Sequence, residues 1–204
     1  MIELIGGTKI CRLFGGFHAR LKTRTQPFHD RLESRLPLVN PCLTVEAYCT
    51  LLKQFYGFYR PLEAVFARAA TGLLQGEVDR RRKVQWLVED LMALGETTES
   101  IAGLPFCTML PDVTTQARLM GSLYVVEGAT LGGQMVGRFL RQSLDEQASG
   151  CCRFFLSYGE QVRPRWEAFL QSLAEAAEEP EHEREIIESA CETFHCFEQW
   201  LSNA

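Results

Sequence analysis

The sequence predicts an all-α, single-domain protein. Apolar residues return at three- and four-residue steps along most of the chain, and no segment sustains the two-residue alternation of a half-buried strand. The chain has 204 residues, 46% apolar and 23% charged, which suits one domain with a sizeable core. No internal repeat is visible. About seven to nine helices are expected, several of them kinked.

Residues 1–16 show no period and carry two Gly-Gly pairs, so they read as a loosely held arm ahead of a helical domain at 17–204. From Phe17 to Leu36 the helical period sets in, with Leu21, Phe28, Leu32 and Leu36 on one face and Thr25 one turn after Leu21. Pro27 is expected to kink this helix or restart its first turn. His18 falls before the first regular turn. Pro37 and Asn40-Pro41 end the segment.

Thr44 is a good N-cap for the next helix. Val45, Tyr48, Leu51, Leu52, Phe55, Tyr56, Phe58, Tyr59, Leu62, Val65 and Phe66 form a band too aromatic for a surface helix, so it reads as the heart of the core. Pro61 marks a kink or break. Asp79 opens a basic turn, Arg80-Arg81-Arg82-Lys83, which reads as a solvated helix face.

Val84, Leu87, Val88, Leu91 and Leu94 continue at helical spacing, and Gly95 is a natural stop. A long connection follows from Glu96 to Pro111. Asp112 is placed to cap the next helix, which runs to about Leu144. Gln147 to Gly150 is a turn, Cys151 to Tyr158 is short and apolar, and Glu160 to Ala177 is amphipathic with Val162, Trp166, Phe169, Leu170 and Leu173 inward. Pro180 opens a last helix with Ile186, Ile187, Ala190, Phe194, Phe197, Trp200 and Leu201 at three- and four-residue steps.

A net charge of −5 argues against nucleic acid and against anionic membranes as partners. Small molecules, or proteins with local charged patches, fit better. The N-terminus lacks the pattern of a signal peptide, and no run approaches the roughly 18 apolar residues of a membrane span. The chain reads as cytoplasmic. Its eight cysteines form no CxxC pair and no zinc pattern, so they read as small buried hydrophobes.

Of the four histidines, only His29 lies on an apolar helical stripe with a carboxylate one turn away, Glu33. The pair is either a local hydrogen bond or an iron-binding imidazole held by its acceptor. Between Leu123 and Gln134 lie Gly128, Gly132 and Gly133, flanked by Gly121 and Gly137. Each glycine in a helix costs about 1 kcal/mol relative to alanine. Either another backbone packs closely there, or a flat ligand lies against exposed peptide groups. The stretch follows no strand and lacks a nucleotide-loop pattern. Glu192 to His195 gives one ExxH, and the other, Glu179 to His182, falls in an acidic run that reads as solvated, which argues against a di-iron bundle. A histidine on one helix and a glycine-rich helix opposite would suit a flat macrocycle about one helix diameter across.

The segments Leu21 to Glu33, Phe55 to Glu63, Gly121 to Gln134 and Phe194 to Leu201 together resemble the bacterial heme oxygenases that supply biliverdin. The likeness spans roughly residues 17–202. It implies an all-α fold with heme sandwiched between a proximal and a kinked distal helix. His29 would be the proximal iron ligand and Glu33 would orient its imidazole. Gly128, Gly132 and Gly133 would let the distal backbone approach dioxygen.

By the same resemblance Lys22 and Tyr124 would meet the heme propionates, with Arg163 and Arg165 placed only by the last helices. The implied reaction converts heme, dioxygen and reducing equivalents to biliverdin, carbon monoxide and ferrous iron. Electrons would come from an external reductase or ferredoxin, and a biliverdin-binding photoreceptor would be a product acceptor. Many family members carry an aspartate where this chain has Ala129. The alternative is therefore a non-catalytic heme-binding or heme-transfer protein on the same fold.

Overall fold

A computed structural model of the protein describes residues 15–36, 38, 40, 42–143 and 150–203. Among them are nine α-helices: α1 (Gly15–Arg35), α2 (Val45–Ala69), α3 (Leu73–Arg80), α4 (Val84–Ala93), α5 (Thr98–Ala102), α6 (Gln116–Ser143), α7 (Arg153–Leu156), α8 (Val162–Ala176) and α9 (Pro180–Asn203). A 3-10 turn, Gly159–Gln161, leads into α8. The N-terminal arm, except for Gly15 and Gly16, and the turn at 147–150, except for Gly150, lie outside the described residues.

The C-terminal helix α9 is the plank on which α1 and α6 both lie. The Ser189 hydroxyl donates to the Arg118 carbonyl at 2.7 Å, and the Ser122 and Thr193 hydroxyls are 2.8 Å apart. On its other side Arg20 forks onto Glu183 at 2.7 and 2.6 Å, Arg31 reaches Glu198 at 3.4 Å, and Arg35 donates to Ser202 at 2.7 Å. Numbers on both partners rise together along each contact, so α1, α6 and α9 run parallel.

Beneath them α2 supplies the aromatic core anticipated from its composition. Phe58 stacks on Phe197 with ring centroids 4.3 Å apart, and Phe55 and Tyr59 reach Phe197 and Phe154 at 5.2 Å each. Burying each such ring contributes about 1.5–3 kcal/mol. Pro61 neither breaks nor ends this helix. Its missing amide leaves the Gly57 carbonyl without an intrahelical donor, and the Cys107 amide of the α5–α6 connection takes that place at 2.9 Å. Gly57 permits the approach: a Cβ there would lie 2.6 Å from the Trp200 ring and 2.7 Å from the Pro105 carbonyl oxygen. Pro27 likewise sits inside a continuous α1, and His18 lies within that helix rather than ahead of it.

Local chemistry places several boundaries. Thr44 accepts from the Ala47 amide at 3.2 Å, as a cap should. Gly95 follows α4 with φ +96°, a conformation that favours glycine. Asp112 is not the cap of α6. It accepts from the Thr114 amide, whereas Thr115 accepts from the Arg118 amide at 3.1 Å and so starts the helix three residues later. The long connection also hides the short helix α5, opened by a Thr97–Ser100 capping box.

The basic turn departs most from expectation. Arg80 and Arg82 are exposed, but Arg81 and Lys83 are buried. Their neighbours explain why, and they belong to the candidate site.

Candidate functional site

The candidate site is built from one face of α1 and one face of α6. On α1, His18, Lys22, Thr25 and His29 follow at four-, three- and four-residue steps, which keeps them on one side of the helix. The His29 side chain is 46% exposed. Its Nε2 lies 3.6 Å from Glu33 Oε1 and its Nδ1 lies 3.8 Å from Asp30 Oδ1. Both distances exceed a hydrogen bond, so these carboxylates orient the imidazole without occupying either nitrogen. The ring edge rests on Phe194 of α9 at 6.0 Å.

Tyr124 links the two helices. It is buried, its hydroxyl lies beside Thr25, and burial pushes its pKa up to about 12. The Thr25 hydroxyl is itself buried and donates to the Leu21 carbonyl at 2.9 Å. His18 packs its ring against Tyr124 at 6.1 Å and against Trp166 of α8 at 6.2 Å. Burial, and then the nearby Lys22 charge, lower the His18 pKa. Lys22 and Arg163 are exposed, Arg163 one turn ahead of Trp166 on α8. Arg165 instead turns toward the Tyr158 ring, 4.4 Å away, and the Arg80 carbonyl.

The parallel course of α1 and α6 fixes what lies beyond the Tyr124–Thr25 contact. Four residues on from Thr25 is His29, and four on from Tyr124 is Gly128. One further turn gives Glu33 and Gly132. His29 and Gly128 thus each lie one turn beyond that contact, on helices that run in the same direction.

The glycines of α6 divide into two sets. A Cβ on Gly121 would overlap the Ile186 carbonyl of α9. One on Gly133 would lie 2.7 Å from the Phe155 carbonyl oxygen, and one on Gly137 would lie 2.9 Å from Leu156 Cδ2, both on α7. These three admit neighbouring backbone and side chains. By contrast a Cβ on Gly132 would meet nothing within 4 Å, and one on Gly128 would make ordinary contact with the Trp166 ring at 3.6 Å. Ala129, between them, is exposed. Gly133 therefore faces α7, whereas Gly128 and Gly132 form the open face.

Glu127 points away from that face. Only 1% of its side chain is exposed, and it receives Arg81 Nη1 at 2.6 Å, the Tyr158 hydroxyl at 3.0 Å and Lys83 Nζ. Burial works against its charge, but Lys83 and Arg81 outweigh burial and hold its pKa below the usual carboxylate range. Burial pulls Lys83 downward too. The Arg81 guanidinium stands against the Glu127 carboxylate at 2.6 Å. Arg81 Nε is buried without a protein partner. A cavity of about 10 Å³ lined by Arg81, Lys83, Glu63 and Tyr59 has room for one water beside it.

Sequence reasoning missed Trp166 as a site residue, although a tryptophan one turn after Arg163 was the signal for it. It also missed the contacts of His18, which the helical spacing to Lys22 and His29 would have revealed. The burial of Glu127 had no local signal at all. Among the described residues, no three His, Cys, Asp or Glu side chains converge as a metal cage, and no helix is long and apolar enough to cross a membrane.

Comparisons with known proteins agree with this architecture. A heme oxygenase from Xanthomonas campestris pv. campestris (strain 8004) is 29% identical over 100 residues, covering 49% of this chain and 56% of that relative. The match thus spans little more than half the relative's length. The crystal structures of the NO- and CO-bound heme oxygenase from Neisseria meningitidis share the fold. The TM-score is 0.70 at 22% identity, over 91% of this chain and 89% of that one. The family model described as heme oxygenase matches residues 16–203, and the chain belongs to the heme oxygenase family.

Proposed function

We propose that this protein is an enzyme that opens the heme ring with dioxygen and external electrons, giving biliverdin, carbon monoxide and ferrous iron. One observation carries the reading. An imidazole with uncommitted nitrogens and a helix face without side chains lie one turn beyond the same interhelix contact. The residues fit heme. A porphyrin-held iron needs a single protein imidazole, and at Gly132 the backbone faces open space where a side chain would stand.

Bound heme supplies the redox iron and is itself the substrate whose ring opens. His29 would hold the iron through one ring nitrogen, and the carboxylate beside the other, Glu33 or Asp30, would orient the ring. Lys22 and Arg163 offer cations to the propionates, and Tyr124 a hydroxyl beside Thr25. Gly128 and Gly132 leave room for dioxygen on the far side. That stretch of α6 presents no acid, because Ala129 is apolar and Glu127 faces inward. Protons therefore reach the reaction through water at the exposed face. The electron donor is a separate reductase or ferredoxin, the setting is cytoplasmic, and a bilin-binding photoreceptor is a fitting acceptor of the product.

Hemin titration tests binding: a one-to-one complex with a sharp Soret band is expected, and His29→Ala should lose that band. No saturable binding would sink the proposal. Aerobic turnover with ascorbate or a reductase should then bleach the Soret band and yield a bilin, whose isomer identifies the ring edge attacked. A stable oxy-complex that never ring-opens would mark a heme carrier instead.

A further inference from the structure

A face without side chains cannot hold itself in place. Gly132 touches nothing that a side chain would reach, and Gly128 has only the Trp166 ring in front of it. The height and rotation of this face must therefore be set from behind. Gly121, Gly133 and Gly137 limit how far α6 stands from its neighbours, but such contacts specify distance better than rotation. Directional bonds are needed as well.

In the turn that carries Gly128, Glu127 supplies them. Its carboxylate is held from three directions by groups that are themselves held. Arg81 is braced by Glu77 at 2.9 Å and lies over the Phe169 ring at 5.0 Å. Lys83 Nζ donates to the Arg81 carbonyl at 3.0 Å, while Glu63 accepts the Lys83 and Val84 amides at 2.5 and 3.0 Å. Tyr158 meets the Trp86 ring edge at 5.3 Å. Two turns further on, the Gln134 amide donates to the Leu156 carbonyl. Buried ion pairs add little stability over apolar packing of the same volume, so net stability does not account for the cluster, whereas fixing the rotation of α6 does.

We propose that Glu127 is a positioning residue: clamped by Arg81, Lys83 and Tyr158, it sets the placement of Gly128 and Gly132 over the heme. This rests on the heme-degrading function proposed above. Displacements of about 1 Å at a reacting centre cost on the order of a hundredfold in rate, so loss of the clamp reads out in the chemistry before it reads out in binding.

The test uses the full chain loaded with hemin and compares wild type, Tyr158→Phe and Glu127→Gln. Tyr158→Phe removes the hydroxyl's bonds with Glu127 and Lys83 and keeps every charge, so it decides the question even if Glu127→Gln fails to fold. The expected result is hemin affinity within about threefold of wild type, a shifted C–O stretching frequency in the ferrous carbonyl complex and an altered ratio of biliverdin isomers. Turnover should fall about tenfold in Glu127→Gln at unchanged KM. Wild-type carbonyl frequency and isomer ratio in folded variants, whatever their melting temperature, would overturn the proposal. Failure of wild type to bind hemin or to release a bilin would instead sink the functional reading on which it rests.

Discussion

Gly121 and Gly132 sit eleven residues apart on one helix and do opposite things. Gly121 is glycine because the Ile186 carbonyl occupies the space of its side chain. At Gly132 that space is open and stays open. The first gains packing in return for its helix-propensity penalty, whereas the second gains only room. A count of glycines cannot tell these cases apart, but the identity of the nearest neighbour can.

The contrast can be broken most forcefully from behind the open face. Glu127→Ala leaves Lys83 buried without a carboxylate partner and Arg81 with Glu77 alone, and should cost about 4 kcal/mol of stability in urea denaturation. Next comes Gly121→Ala, which forces α6 off α9 and should cost about 3 kcal/mol by the same measurement. Heme binding should decline with the fold in both.

A smaller effect involves Asp90, whose carboxylate accepts the Arg153 and Phe154 amides at 2.9 Å each and so caps α7, the helix against Gly133. Burial raises the Asp90 pKa from 3.8 to about 6. A raised folded value means stability that is present below pH 4 and lost as pH climbs through 6. Relative to Asp90→Asn, wild type should therefore lose about 2 kcal/mol between pH 4 and 7.5, read from paired thermal melts. Glu127 has the opposite sign: its contribution is present at neutral pH and lost as acid titrates its lowered pKa.

Smallest in stability, and sharpest for the comparison, is Gly132→Ala. It should stabilise the fold by up to about 1 kcal/mol while lowering bilin formation in the aerobic assay. A variant that is more stable and equally active would remove the functional reason for the open face.

Much of the helical frame was legible because its cause is local. The stripes of α2, α8 and α9 follow from period alone, and Thr44 and Gly95 mark boundaries by their own chemistry. His29 and Glu33 stood out for the same reason. What was hidden depends on partners distant in sequence. Arg81 and Lys83 read as solvated because the carboxylate that buries them is 46 and 44 residues away. Asp90 caps a helix 63 residues on. Pro61 looked like a break because nothing nearby announces that Cys107 will donate to the carbonyl it strands. Asp112 was a plausible cap displaced by an equally plausible Thr115.

The plank arrangement has a consequence for biosynthesis. The imidazole and the glycine face come from segments about a hundred residues apart, and the helix that aligns them, α9, is the last described element of the chain. Parallel helices cannot be joined by tight turns, so the two halves of the site meet only after the long segment between them has folded. On the proposed function, heme binding therefore needs α9 in place, and a chain stalled before Pro180 should not bind hemin.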